Sequence, residues 1–244
     1  MKEFDTDREE VVKRASSAGV EFILDVGTDA ATSQKAVLIS KTHPSIFAAA
    51  GIHPHEASKA SDGDLRSIDS LLRDPKVLAL GEIGLDYHYS FSPKDVQKSL
   101  FRKQIGIGVQ AGKPLIIHVR EAMNDALAIL RETEHPGFRG VFHCFGGSRE
   151  DVALILEMGF HISFTGVVTF RNFTKTDVVT AVPLNRLLLE TDSPYMTPAP
   201  MRGKRNEPSL LVHVAKRLAE IMDVPVEELV SQSTANAKML FGAG

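Results

Sequence analysis

VLALGEIGLDY, residues 77–87, is an apolar run of strand length that carries one carboxylate, Glu82, to the point where the run gives out into a glycine-punctuated turn. Desolvating a carboxylate without a partner is costly, so a positive group is expected to face Glu82. The same design recurs three times downstream. PLIIH ends at His118, GVFH ends at His143 and LLLETD ends at Asp192.

Outward from that stretch, short apolar runs alternate with amphipathic ones along the whole chain. Strands are expected at 22–26, 46–52, 77–83, 114–119, 140–145, 160–164 and 187–191. Helices are expected from a capping-box pattern at Thr6 and Glu9 to Gly19, then over 29–41, 62–73, 93–111, 121–134, 151–158, 177–182, 209–221 and 226–241. Ser148 with Asp151 supplies a second capping pattern. This alternation predicts a parallel sheet wrapped by helices, a TIM-like (β/α) barrel in one domain over 1–244. Seven strands are legible and the chain opens on a helix, so a closed eight-stranded barrel lacks its first strand.

The 244 residues fit one such domain. A net charge of -3 argues against retention on nucleic acid by bulk charge, so any such contact must be local. Cys144 is the single cysteine, which forbids an internal disulfide and makes a reducing, cytoplasmic setting the default. Neither a signal-peptide core nor an 18-residue apolar run is present. GxSxG, P-loop, GxGxxG and CxxC motifs are missing as well, which removes the usual support for serine hydrolase, P-loop, dinucleotide and thiol-redox chemistry.

In an α/β barrel the C-terminal strand ends converge on one face. Glu82, His118, His143 and Asp192 would meet there, two imidazoles and two carboxylates suited to a divalent ion. A single histidine at a strand end is more often an ordinary hydrogen-bonded residue, and Glu82 alone could pair with Arg120; four such residues at four strand ends point to a metal. His53 and His55 in GIHPH also follow a strand and are read as substrate contacts, with outer ligands or plain loop residues as other roles. His43, His88, His135, His161 and His213 read as structural or exposed, and Asp25 as buried without an evident partner. The loop DSPYMTPAPMRGKRNEP, residues 192–208, is stiffened by proline and carries Arg202, Lys204 and Arg205. Arginine forks match phosphate oxygens, so Arg202, Arg205 and Arg120 are candidate substrate-binding groups.

Together these segments resemble the TatD family of metal-dependent deoxyribonucleases, within the amidohydrolase-like barrels. The resemblance rests on GIHPH (51–55), GEIGLDY (81–87), IHVREA (117–122), FHCFGG (142–147), LLLETDSPY (187–195), RGKRNEP (202–208) and TANAKMLFG (234–242). It implies a carboxylate bridging two metals at Glu82, histidine ligands at His118 and His143, and a terminal aspartate at Asp192. The family's opening D-x-H-x-H motif has no match. EFDTDREEVVKRA resembles the text that follows it, so the chain is expected to start about ten residues late, by a misplaced start codon in preference to a partner or loop that fills the gap, and to keep one of two pockets for Mg, Mn or Zn.

The resemblance implies a metal-dependent phosphodiester hydrolase, a nuclease that trims DNA at ends or single strands, with RNA as a further substrate. Glu82 and Asp192 are its expected catalytic carboxylates, Asp192 acting on the attacking water. The same fold could instead serve ester or amide hydrolysis, such as removal of an amino acid from a mischarged tRNA. Without the missing histidines it could also be a catalytically inert binding protein.

Overall fold

The computed structural model describes residues 2–133 and 135–243. Seven parallel strands lie side by side in chain order, β1 (Ile23–Val26), β2 (Ile46–Ala50), β3 (Val77–Asp86), β4 (Leu115–Arg120), β5 (Gly140–Phe142), β6 (His161–Phe164) and β7 (Leu187–Leu189). α1 (Arg8–Ser17) precedes β1; between the strands run α2 (Ala30–Thr42), α3 (Asp62–Leu71), α4 (Lys94–Ala111), α5 (Met123–Glu132), α6 (Arg149–Glu157) and α7 (Thr176–Thr180), with α8 (Leu211–Met222) and α9 (Val226–Phe241) following β7. Each strand pairs with the next in parallel register. Among the described residues β1 and β7 have no pairing with each other, so the barrel is open at the place where an eighth strand would close it.

Strand alternation divides the core in two. Outward-facing Ala48, Ala50, Leu80, Leu115, Ile117 and Phe142 pack under the helices. Inward-facing Ala49, Ala79, Ile116, Val141 and Leu188 form a smaller cluster, plugged from below by Leu240 with Phe241 of α9. The same parity carries the chain upward from Ile116 to His118, from Val141 to His143 and from Leu188 to Glu190, so side chains above the inner apolar layer reach into one space.

Boundaries differ from the expected ones where tertiary partners intervene. β3 runs on to Asp86 because β4 pairs with it as far as Arg120. β5 and β7 stop early, leaving His143 and Asp192 just beyond strand ends. The capping box expected at Thr6 does not form. Asp7 is the N-cap residue of α1 and makes no side-chain cap bond, because its carboxylate is held by both forks of Arg205, at 2.9 and 2.6 Å. Ser148 and Asp151 do form their capping box at α6. The expected end of helix 121–134, at Glu134, falls outside the described residues; within them α5 begins two residues late, at Met123.

Candidate metal centre

The centre is built on Glu82. One oxygen, Oε1, lies 2.6 Å from His143 Nε2, 2.7 Å from His118 Nδ1 and 3.5 Å from His53 Nε2. These imidazoles come from the ends of β5, β4 and β2. Their backbones are fixed by continued strand pairing, the His143 N–H donating to the Ile117 carbonyl and the His53 N–H to the Thr28 carbonyl. The expected positive groups facing Glu82 are thus imidazoles. Arg120 lies elsewhere, over the Tyr89 ring.

Each of the two histidines nearest Glu82 is gripped at both ring nitrogens. The far nitrogen of His118, Nε2, faces Asp86 Oδ2 at 3.2 Å, and the far nitrogen of His143, Nδ1, faces Glu190 Oε2 at 3.4 Å. Asp86 and Glu190 are themselves anchored. Asp86 Oδ2 also accepts from His55 Nε2 at 2.9 Å, while Oδ1 accepts the His88 and Tyr89 N–H groups. Glu190 Oε1 accepts the Ser163 hydroxyl at 2.7 Å and the Cys144 N–H at 2.5 Å. Outer carboxylates of this kind fix which ring nitrogen presents its lone pair and raise its basicity.

The electrostatics follow from this packing. Burial pushes the Glu82 carboxyl up, but the charge of His143 and the bonds from His118, His143 and His53 outweigh it and hold Glu82 well below the usual carboxylate range. Burial disfavours charge on His118 and His143 too, yet Asp86 and Glu82 raise the first and Glu82 with Glu190 raise the second well above its ordinary value. His53 goes the other way. Burial lowers it despite Glu82, and its Nδ1 accepts the His55 N–H at 3.2 Å, which leaves Nε2 to carry the proton toward Glu82. Asp192 stands apart, without a hydrogen bond to its carboxylate among the described residues. Burial pushes it up, His143 opposes, and the negative charges of Glu190 and Glu82 add to the rise, bringing it to about 7. The Cys144 thiol beside them is pushed up to about 12 by burial and Glu190, so it is inert as a nucleophile.

The remaining candidates are dispersed. His55 adjoins His53 and Asp86. Asp192 shares the cavity between β1 and β7 with Glu82, His143 and Glu190. Arg202 donates to the Thr197 carbonyl and lies 3.8 Å over the Phe170 ring. Arg205 is not left open to phosphate, since Asp7 takes its fork and Phe4 its face. His161 is buried on β6 and Asp25 lies on the face of β1 opposite Leu24 and Val26, its carboxyl raised by burial.

Sequence reasoning missed Asp86 and Glu190. Parity could have found Glu190, which stands between Leu188 and Asp192 on the inward side of the last strand. Asp86 was hidden by the glycine at 84, which reads as a turn but sits within β3 at φ +140.

The donors suit a divalent cation. Ligand atoms of His53, Glu82 and His118 lie within 4.8 Å of one another. Those of Glu82, His118 and His143 lie closer still, between 2.6 and 3.2 Å apart. Ligand bonds of about 2.1 Å put neighbouring donors about 3.0–3.4 Å apart, so the 3.2 Å between His118 and His143 fits an ion, while the 2.6 and 2.7 Å from Glu82 are hydrogen-bonded contacts that an ion would replace. Glu82 and His118 belong to both groups.

A family model described as TatD related DNase matches residues 1–242. The chain is 45% identical over 241 residues to the uncharacterized metal-dependent hydrolase YabD of Bacillus subtilis, covering 98% of this chain and 94% of that one. It is 36% identical over 248 residues to the 3'-5' ssDNA/RNA exonuclease TatD of Klebsiella pneumoniae, covering 98% and 95%. Among solved structures, that of the TatD homolog YJJV from Escherichia coli K12 superposes with a TM-score of 0.93 at 30% identity, covering 98% of this chain and 93% of that one.

Proposed function

The chain belongs to the TatD-related DNase family of metal-dependent hydrolases, and from that premise we propose that it cleaves phosphodiester bonds in single-stranded nucleic acid, trimming DNA from its ends. The observation that carries the reading is the meeting of three imidazoles from three strands on one oxygen of Glu82. A relative 36% identical carries the name 3'-5' ssDNA/RNA exonuclease, which supports the substrate class. A reducing, cytoplasmic setting remains the reading for a chain with one half-buried, unreactive thiol.

Glu82, His118 and His143 would hold a divalent ion, with His53 and Asp192 beside them, and Mg, Mn or Zn are the candidates. Such an ion supplies Lewis acidity toward a phosphoryl oxygen and makes water a nucleophile near neutral pH. Asp86 and Glu190 orient the two imidazoles. Asp192, whose carboxylate makes no hydrogen bond among the described residues and shares the cavity with Glu82 and His143, can take a proton from the attacking water. Arg120 at the end of β4 and Arg202 on the loop after β7 remain as cations to orient phosphate, whereas Arg205 serves the fold.

The reading is tested by following release of nucleotides from an end-labelled single-stranded oligonucleotide. Wild-type protein supplied with Mn or Mg should cleave it, while His118→Ala and Asp192→Asn should lose at least about 100-fold, the scale of removing a group that stabilises charge in the transition state. Undiminished cleavage by either variant would discard the mechanism.

A further inference from the structure

Three aromatic side chains are exposed among the described residues, Tyr89 (43%), Phe91 (64%) and Tyr195 (57%), and all three lie on loops following β3 and β7, beside the donor cluster. Tyr89 and Phe91 form a pair, with ring centroids 5.4 Å apart and planes 28° from parallel. His55 stands edge-on to Phe91 at 4.8 Å and to Tyr89 at 5.5 Å. The Arg120 guanidinium lies 4.9 Å from the Tyr89 centroid. His55 and His118 both bond Asp86 Oδ2. One histidine therefore separates the exposed rings from the groups around Glu82.

The rings are held there. Asp86 Oδ1 accepts from the N–H groups of His88 and Tyr89, and buried Gln97 donates to the carbonyls of Asp86 and Ser92 while accepting the Asp86 N–H. Ser92 donates to the His55 carbonyl and accepts the Ser58 N–H. The carboxylate that orients His118 thus also fixes the backbone under Tyr89, and the pair is presented to solvent on a pinned loop.

We propose that Tyr89, Phe91 and Arg120 form a stacking platform for an unpaired nucleobase of the strand being cleaved. This deepens the nuclease reading and rests on it. Bases stack on aromatic rings with little regard to identity, and an arginine over such a ring can still turn N–H groups toward phosphate. A net charge of -3 gives the protein no bulk attraction for a polyanion, so local contacts, stacking among them, must supply affinity. Bases inside a duplex are already stacked on their neighbours, so the platform selects unpaired strand.

The test uses the full chain and two single-stranded oligodeoxynucleotides, one ending in 2-aminopurine and one ending in an abasic residue. Wild type should quench 2-aminopurine fluorescence and should prefer the base-bearing end about tenfold in kcat/KM, the scale of one base stacked on an aromatic side chain. In Tyr89→Ala/Phe91→Ala the quenching should vanish and the preference should fall toward one, chiefly through KM. Tyr89→Trp/Phe91→Trp should retain both, which guards against misfolding of the alanine variant. If wild type cleaves the strand but the alanine variant keeps quenching and preference, the platform is overturned and the nuclease reading stands. Failure of wild type to bind or cleave either strand overturns both. A dimer of wild type that the alanine substitutions dissociate, with end preference unchanged, would assign the rings to contact between copies and overturn the platform.

Discussion

At the scale of single residues, the centre depends on carboxylates that touch histidine as much as on those that would touch metal. Asp86→Asn and Glu190→Gln keep shape while removing the charge behind His118 and His143, and each should weaken binding of Mn or Mg by about 10–100-fold, measured by competition with a chelating dye. Unchanged affinity in both would show that the imidazoles need no orienting partner. The titrating groups also give a sign for pH dependence without metal. Asp192 near 7 in the fold lies above its unfolded value of about 3.9, so the native chain binds the extra proton and stability falls as pH rises toward 7. His118 and His143 are raised as well. Their contribution is complete below about 6.5 and is lost as pH rises through the folded values. Depressed Glu82 and His53 act only in more acid solution. Chelator-treated protein should therefore melt lower at pH 8 than at pH 6.5, by about 2–4 °C for each kcal/mol lost, and Asp192→Asn should reduce the difference. A melting temperature that rises over this interval would contradict the assignment.

At the scale of elements, the contact between β3 and β4 sets the geometry. Gly84 has φ +140, and a Cβ there would meet the His118 carbonyl oxygen at 2.0 Å. Gly84→Ala must push the two strands apart or strain the backbone, at a cost of at least about 1–3 kcal/mol. The melting temperature should fall and metal affinity with it; an unaltered melting curve would mean that the strands do not approach this closely. The seven strands were legible because each is a short apolar run bounded by glycine, proline or a charged turn. Ends were less so. Gly84 has the look of a turn, yet its missing side chain is what lets β3 continue to Asp86. Thr6 and Glu9 have the spacing of a cap, but a side chain far along the sequence, Arg205, claims Asp7 and changes the helix start. In the last strand Asp192 drew the reading to the strand end, while Glu190 on the same face binds His143. Long-range partners of this kind leave no local trace in sequence.

At the scale of the whole molecule, the open seam is the feature that composition could not show and strand counting could. Between β1 and β7 lies a cavity of about 410 Å³ whose walls include Leu24, Val26, Leu188, Asp192 and Phe241. α1 is tied across this side by Arg205 on Asp7 and by Arg14 on Glu207 at 2.7 Å. That clamp explains why one basic group expected at substrate, Arg205, appears instead in the scaffold. Donors gather from β2, β3, β4 and β5, and Glu82 and His143 open with Asp192 onto the seam cavity, so the centre lies beside the gap. The most direct test titrates Mn into chelator-stripped wild type and Glu82→Gln in a calorimeter. Saturable binding by wild type, lost when the shared carboxylate becomes an amide, is the result predicted; no binding by wild type, or equal binding by both proteins, would contradict the claim that these strands converge on a cation.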